Sequence, residues 1–172
     1  MKINLIEYFE ESLQHCPDKI AVIEKDKQIT FCELGVKSKQ IATALIECIG
    51  EINRPVAIYL PKSIDAVSSD IACIYSGNMY MNLDVKTPLE RIRNILDLIK
   101  PVVIISNNQY LKNINQVISG PIKILNLDQL DWSKDPWDEQ IRSVWRDLID
   151  TDPLCIINTS KCTCLRQSMQ SN

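Results

Sequence analysis

The sequence predicts an α/β protein: a mostly parallel, helix-covered sheet preceded by a β-hairpin. Two observations carry this. From Pro55 onward, short apolar runs alternate with segments of helical period several times over, the pattern of parallel strands joined by crossover helices. Upstream, two β-type runs flank the polar stretch Lys25-Asp26-Lys27, which reads as a hairpin. Right-handed crossovers then place the helices on the faces of the sheet.

The elements follow in order. Leu5, Ile6, Phe9 and Leu13 share one face at helical spacing, and Pro17 ends that helix. IAVIEKDKQITF is the hairpin. CELGVKSKQIATALIECI returns to helical period and offers Val36, Ile41, Leu45 and Ile49 to a core. PVAIYL is a short buried strand. SIDAVSSDIACIYSG is a helix capped by Ser63 and stopped at Gly77. YMNLD is a second strand. TPLERIRNILDLIK is a helix with Thr87 as N-cap and Pro88 in the first helical position. On it, Glu90, Arg91, Arg93, Asp97 and Lys100 surround an apolar stripe, so a surface helix with local ion pairs is expected.

VVIIS is a third strand, a helix surrounds NQYLKNINQVI, and IKILNLD is a fourth strand. Between Asp128 and Asp152 the texture turns polar: LDWSKDPWDEQ reads as a loop and DEQIRSVWRDLI as a short helix. Trp132, Trp137 and Trp145 are expected to cover one end of the sheet. Leu154 to Ile157 is apolar and leads into Asn158-Thr159-Ser160, as a strand runs into a phosphate-binding turn.

Composition narrows the function classes. The 172 residues are 45% hydrophobic and 24% charged, enough for a real core. A net charge of -3 gives no electrostatic reason to expect nucleic acid or an anionic membrane surface as a partner. No run approaches the roughly 18 apolar residues of a membrane span, and the N-terminal segment has acidic residues inside its apolar pattern, unlike a secretory signal. The seven cysteines are scattered and odd in number, which predicts a reduced, cytoplasmic protein; Cys32 and Cys73 are expected in core or half-buried positions. Cys162 and Cys164 form a C-x-C pair, but a structural zinc site needs four ligands at recognisable spacing, and His15, the only histidine, reads as a solvated helix end. No metal site is expected.

Three stretches carry more. PDKIAVIEKDKQITFCEL contains Thr30, Phe31, Cys32, Glu33 and Leu34 in a T-[YF]-x-E-L arrangement. IACIYSGNMYMNLDVKTPLERIRNIL presents Gly77, Tyr80, Leu83, Asp84, Pro88 and Arg91 in the pattern K-A-G-x-x-Y-x-P-[IL]-D-x-x-x-P-x-x-R, with Ser76 in place of alanine and Asn82 in place of proline. DPLCIINTSKCTCLRQS follows D-x-[AL]-x-[IV]-x-[YF]-T-S-G-[ST]-T-G-x-P-K-[GS]. In this order and spacing they resemble the adenylate-forming enzymes, most closely the N-terminal part of the amino-acid adenylation domains of nonribosomal peptide synthetases. The resemblance covers residues 5 to 168.

The resemblance implies a partial adenylate-forming fold over residues 1–160 and a divergent tail over 161–172. It implies an activity: joining an amino or other carboxylic acid to AMP from ATP with magnesium, then passing the acyl group to a thiol carrier protein. About the first third of such an enzyme is present, so no catalytic residue can be assigned. Arg91 is expected in a structural role.

The resemblance also makes Thr159, Ser160 and Thr163 the hydroxyls that contact ATP phosphates. In the family this loop needs glycines for positive φ and close backbone approach, and a lysine as a point charge. Here Lys161 and Cys164 stand where glycines belong, Arg166 replaces proline and Gln167 replaces the lysine. Forcing a non-glycine residue to positive φ costs roughly 1–2 kcal/mol, and losing a charge-assisted contact roughly 1.5–3 kcal/mol. The expectation is a chain inactive alone. Two origins stay open for the loop: decay by substitution, or a shifted reading frame after Ser160. A second functional reading is a non-catalytic interaction domain that pairs with another chain through an exposed sheet edge.

Overall fold

The computed structural model describes residues 5–136, 138–149 and 151–158. Helix α1 (Leu5–His15) packs Ile6 inward while Leu5 stays exposed. Strands β1 (Ile20–Glu24) and β2 (Lys27–Thr30) form the expected antiparallel hairpin. Helix α2 (Phe31–Ile49) starts with a capping box. Thr30 Oγ1 accepts from Glu33 N at 3.2 Å, and Glu33 Oε2 accepts from Thr30 N at 2.9 Å. The helix ends at Gly50, whose φ of 72° is left-handed.

The buried stripe of α2 runs Leu34, Ser38, Ile41, Ala42 and Leu45. Val36, expected in the core, is 48% exposed. Two residues from Leu34 is roughly 200° around the helix, so Val36 points away from the stripe. Cys32 lies one turn before Val36 on the same outward side and is exposed as well, whereas Cys73 is fully buried as expected.

The α/β alternation follows: β3 (Pro55–Ile58), α3 (Ile64–Tyr75), β4 (Met79–Asn82), α4 (Leu89–Ile99), β5 (Val103–Ser106), α5 (Asn108–Asn115) and β6 (Lys123–Asn126). Ser63 caps α3, accepting from Ala66 N at 3.2 Å. Beyond its end, Gly77 has φ 69°, and a Cβ there would lie 2.8 Å from Val144 Cγ1 and 2.9 Å from Ile52 Cγ2. Only glycine meets both conditions without strain.

Helix α4 departs from expectation by one residue. Pro88, not Thr87, is the N-cap: its ψ of 137° is non-helical and its carbonyl accepts from Ile92 N at 3.1 Å. Thr87 N is spent on the Asp84 carbonyl at 2.9 Å in the preceding turn. The local ion pairs expected on α4 do not form among the described residues; Arg93 donates instead to the Gln116 carbonyl at 3.1 Å, and Arg91 is exposed.

The four strands of the main sheet are parallel, in the order β4-β3-β5-β6. Alternate residues of each strand feed two cores. Val56, Ile58, Val103 and Ile105 face α1, α2, α3 and a final helix α6 (Asp138–Asp147). Ala57, Tyr59, Met81 and Ile104 face α4 and α5. Trp145 stacks on Tyr75 at 5.6 Å within the first core, and Lys37 Nζ sits 4.7 Å above Trp132. These two tryptophans therefore brace the helical layer rather than an end of the sheet; Trp137 lies outside the described residues.

Candidate functional site

The segment predicted to lead into the phosphate loop does reach the sheet. Tyr80 N donates to the Leu154 carbonyl at 3.2 Å and Ile156 N donates to the Tyr80 carbonyl at 2.9 Å. These two bonds make a parallel bridge between Cys155 and Tyr80 on the free side of β4. Running parallel, the segment carries Ile157 and Asn158 toward the C-terminal end of the strands, where open α/β sheets bind ligands. Thr159, Ser160 and Thr163, the candidate phosphate contacts, lie outside the described residues.

One polar group beside this approach was not anticipated. Asp70, on α3, is half-buried and its Oδ1 accepts from Asn82 Nδ2 at 2.8 Å. Burial pushes its carboxyl up from the ordinary 3.8 to about 6, although the Asn82 hydrogen bond pulls the other way. Burial, with the Asp70 charge as a smaller cause, also raises the Tyr80 phenol and the Cys73 thiol. The signal was present in the sequence: the positions one helical turn from Asp70, namely Ala66, Val67, Cys73 and Ile74, are apolar.

The other strand ends are tied down by their own side chains. Ser106 Oγ donates to the Tyr59 carbonyl at 3.1 Å, across the ends of β5 and β3. After β6, Asn126 Nδ2 donates to Asn108 Oδ1 at 2.8 Å, and Asn108 N donates to Asp128 Oδ2 at 2.8 Å. Asp84 Oδ1 accepts from Lys86 N at 2.9 Å, an Asx-type turn that leads the chain toward α4. So Tyr80, of the second sequence motif, meets the lead-in to the third through its backbone, while Asp84 closes the turn before α4.

A second buried polar group joins the helices. Tyr75 Oη donates to Glu10 Oε1 at 2.5 Å, and Lys39 Nζ lies 2.9 Å from the same oxygen and 3.8 Å from Asp138 Oδ1. Burial first, then the Glu10 carboxylate, pushes the Tyr75 phenol far up. This network ties α1, α2, α3 and α6 together. His15 is exposed at the end of α1, its Nδ1 2.8 Å from the Glu11 carbonyl.

Among the described residues, no group of three or more His, Cys, Asp or Glu is placed to hold a metal ion. No described helix is long and apolar enough to cross a membrane.

A family model described as AMP-binding enzyme matches residues 9–163. Among curated proteins, the chain is 28% identical over 124 residues to tyrocidine synthase 1 of Brevibacillus parabrevis, a match covering 72% of this chain and 11% of that protein. It is 31% identical over 124 residues to gramicidin S synthase 1 of Brevibacillus brevis, covering 71% and 11%. The chain thus spans about a tenth of the length of these relatives. Among solved structures, the Klebsiella oxytoca NpsA N-terminal subdomain matches with a TM-score of 0.75 at 21% identity, over 95% of this chain and 41% of that one. O-succinylbenzoate coenzyme A synthetase (MenE) from Bacillus subtilis, in complex with AMP, matches with a TM-score of 0.65 at 20% identity, over 78% and 34%. These structures speak to the fold: a parallel sheet with an antiparallel hairpin before it, as in the N-terminal subdomain of adenylating enzymes. On the family match, which spans most of its length, the chain belongs to the AMP-binding enzyme family.

Proposed function

We propose that the chain is the N-terminal piece, divided from its tail near Ser160, of an ATP-dependent enzyme that adenylates an amino acid for nonribosomal peptide synthesis, and that it does not adenylate on its own. The observation that carries the reading is the Tyr80–Cys155 bridge. It sets the lead-in to the third motif against the second, as a strand feeding a phosphate loop requires. ATP and magnesium belong to the whole enzyme in this reading, with a thiol carrier protein as acceptor. Bound ATP supplies the phosphoanhydride that activates the carboxylate. Toward it, this chain offers only the hydroxyls of Thr159, Ser160 and Thr163, beside Lys161, Cys164 and Gln167 where glycines and a lysine are wanted. A cytoplasmic location is part of the reading, supported by the free thiols of the described cysteines.

The test is amino-acid-dependent exchange of pyrophosphate into ATP, run on purified chain whose cooperative urea transition shows it folded. No exchange above background is expected with any amino acid. Exchange dependent on one amino acid would overturn the inactivity.

A second reading, pairing with another chain, is favoured by one observation. Leu154 and Ile157 are exposed beside the Tyr80–Cys155 bridge, Ile157 by 78%. A monodisperse complex that buries this edge, found by crosslinking, supports it; a soluble monomer that crosslinks to nothing there counts against it.

A further inference from the structure

We propose that Cys16 and Cys32 form a thiol pair that a low-molecular-weight disulfide oxidises to an intramolecular disulfide. Of the described cysteines these two are the exposed ones; Cys48 and Cys155 are half-buried and Cys73 is buried. They are sixteen positions apart in sequence, and the fold brings the backbone next to Cys16 against Cys32. Cys32 N donates to the carbonyl of Pro17, the residue after Cys16, at 2.9 Å. Two more backbone bonds hold the same junction: Lys19 N to the Cys16 carbonyl at 3.2 Å, and Phe31 N to the Lys19 carbonyl at 2.9 Å. One helical turn further along, Leu13 packs against Gly35, where a Cβ would lie 2.8 Å from Leu13 Cδ1. The end of α1 and the start of α2 are therefore in backbone contact at these cysteines. A disulfide joins Cα atoms roughly 4.4–6.8 Å apart, and the hydrogen bond from Cys32 holds it beside the residue that follows Cys16. Cys16, without Cys32, also lines a shallow cleft with His15, Lys19 and Phe31.

The exchange balances in two steps. One protein thiolate attacks a sulfur of the small disulfide, forming a mixed disulfide and releasing one small thiolate. The second protein thiolate attacks the protein sulfur of that mixed disulfide and expels the other small thiolate. Two protein thiols lose two electrons and two protons, and the small disulfide becomes two thiols. The product closes a loop over the whole hairpin and staples it to α2.

The experiment treats the native chain with oxidised glutathione, blocks remaining thiols and maps peptides by mass. A Cys16–Cys32 crosslinked peptide is expected as the main product. Tryptic cleavage within the closed loop, at Lys19, Lys25 or Lys27, is expected to slow about tenfold. Cys32→Ser should abolish both effects and leave a glutathione adduct on Cys16. Separate adducts on Cys16 and Cys32 without the crosslink would overturn the proposal. So would a crosslink that forms only in urea, because it would owe nothing to the fold.

Discussion

Replacing Asp70 with asparagine isolates the cost of one half-buried carboxylate. The side chain keeps its shape, and an amide oxygen still accepts from Asn82 Nδ2, now 2.8 Å from Asp70 Oδ1. What changes is the charge. The carboxyl is raised from 3.8 to about 6 by burial, and each unit corresponds to about 1.4 kcal/mol. That sets a ceiling of about 3 kcal/mol, which solvent screening of a partly exposed group reduces to about 1–2 kcal/mol. Because the folded chain holds this proton more tightly than the unfolded one, stability falls as pH rises from 3.8 to about 6. Above about 6 the whole cost is present; below 3.8 both states are protonated and it vanishes. Asp70→Asn is therefore expected to stabilise the chain by about 1–2 kcal/mol near neutral pH and by almost nothing below about pH 4. Urea unfolding of parent and variant at matched pH values measures this, with m-values compared to verify that the unfolded states are alike. A gain independent of pH, or a loss at neutral pH, would refute the reasoning, the second by showing that the ionised carboxylate is the better acceptor for Asn82.

Gly77→Ala combines a left-handed backbone with two stiff side chains in the way, so it should cost about 3–4 kcal/mol, read as a fall in urea midpoint. Thr30→Ala removes the capping box of α2 and should cost about 1 kcal/mol in the same assay. Lys100 caps α4 at φ 52°, a conformation glycine adopts freely, so Lys100→Gly should raise the thermal midpoint by about 2–4 °C. An unchanged or lower midpoint would mean that the lysine side chain holds the turn in some other way.

Much of the architecture was legible because it rests on short-range rules. Each strand of the main sheet is an apolar run of strand length, and Ser63 and Gly77 act within four residues to start and stop α3. The errors came where one residue of phase or a distant contact decided. Val36 and Cys32 are apolar enough for a core but sit on the outward side of a stripe that starts at Leu34. Thr87 has the chemistry of a cap, yet the turn closed by Asp84 claims its amide and moves the helix start to Pro88. Charge spacing on α4 suggested ion pairs, but long exposed side chains gain little from closing them. The Asp70–Asn82 and Tyr75–Glu10 bonds join residues on different elements, and no periodicity announces such a pair. The site was legible as a motif and no further: the segment before Thr159 pairs with β4 through one bridge, and Thr159, Ser160 and Thr163 are outside the described residues.

The bridge between Tyr80 and Cys155 also has a lifetime. Two hydrogen bonds, each worth about 1 kcal/mol net, hold a segment whose partner lies far back along the chain. Strand β3, hydrogen-bonded on both sides and packed on both faces, opens only when the whole domain does. Residues 154–156 need lose their two backbone bonds, a side-chain contact between Cys155 and Tyr80 and a small apolar contact at Ile156. The amide of Ile156 should therefore exchange with solvent orders of magnitude faster than that of Ile58. In a longer enzyme, a nucleotide that requires the closed arrangement would have only this small opening free energy to oppose it, so binding and strand docking would be one event.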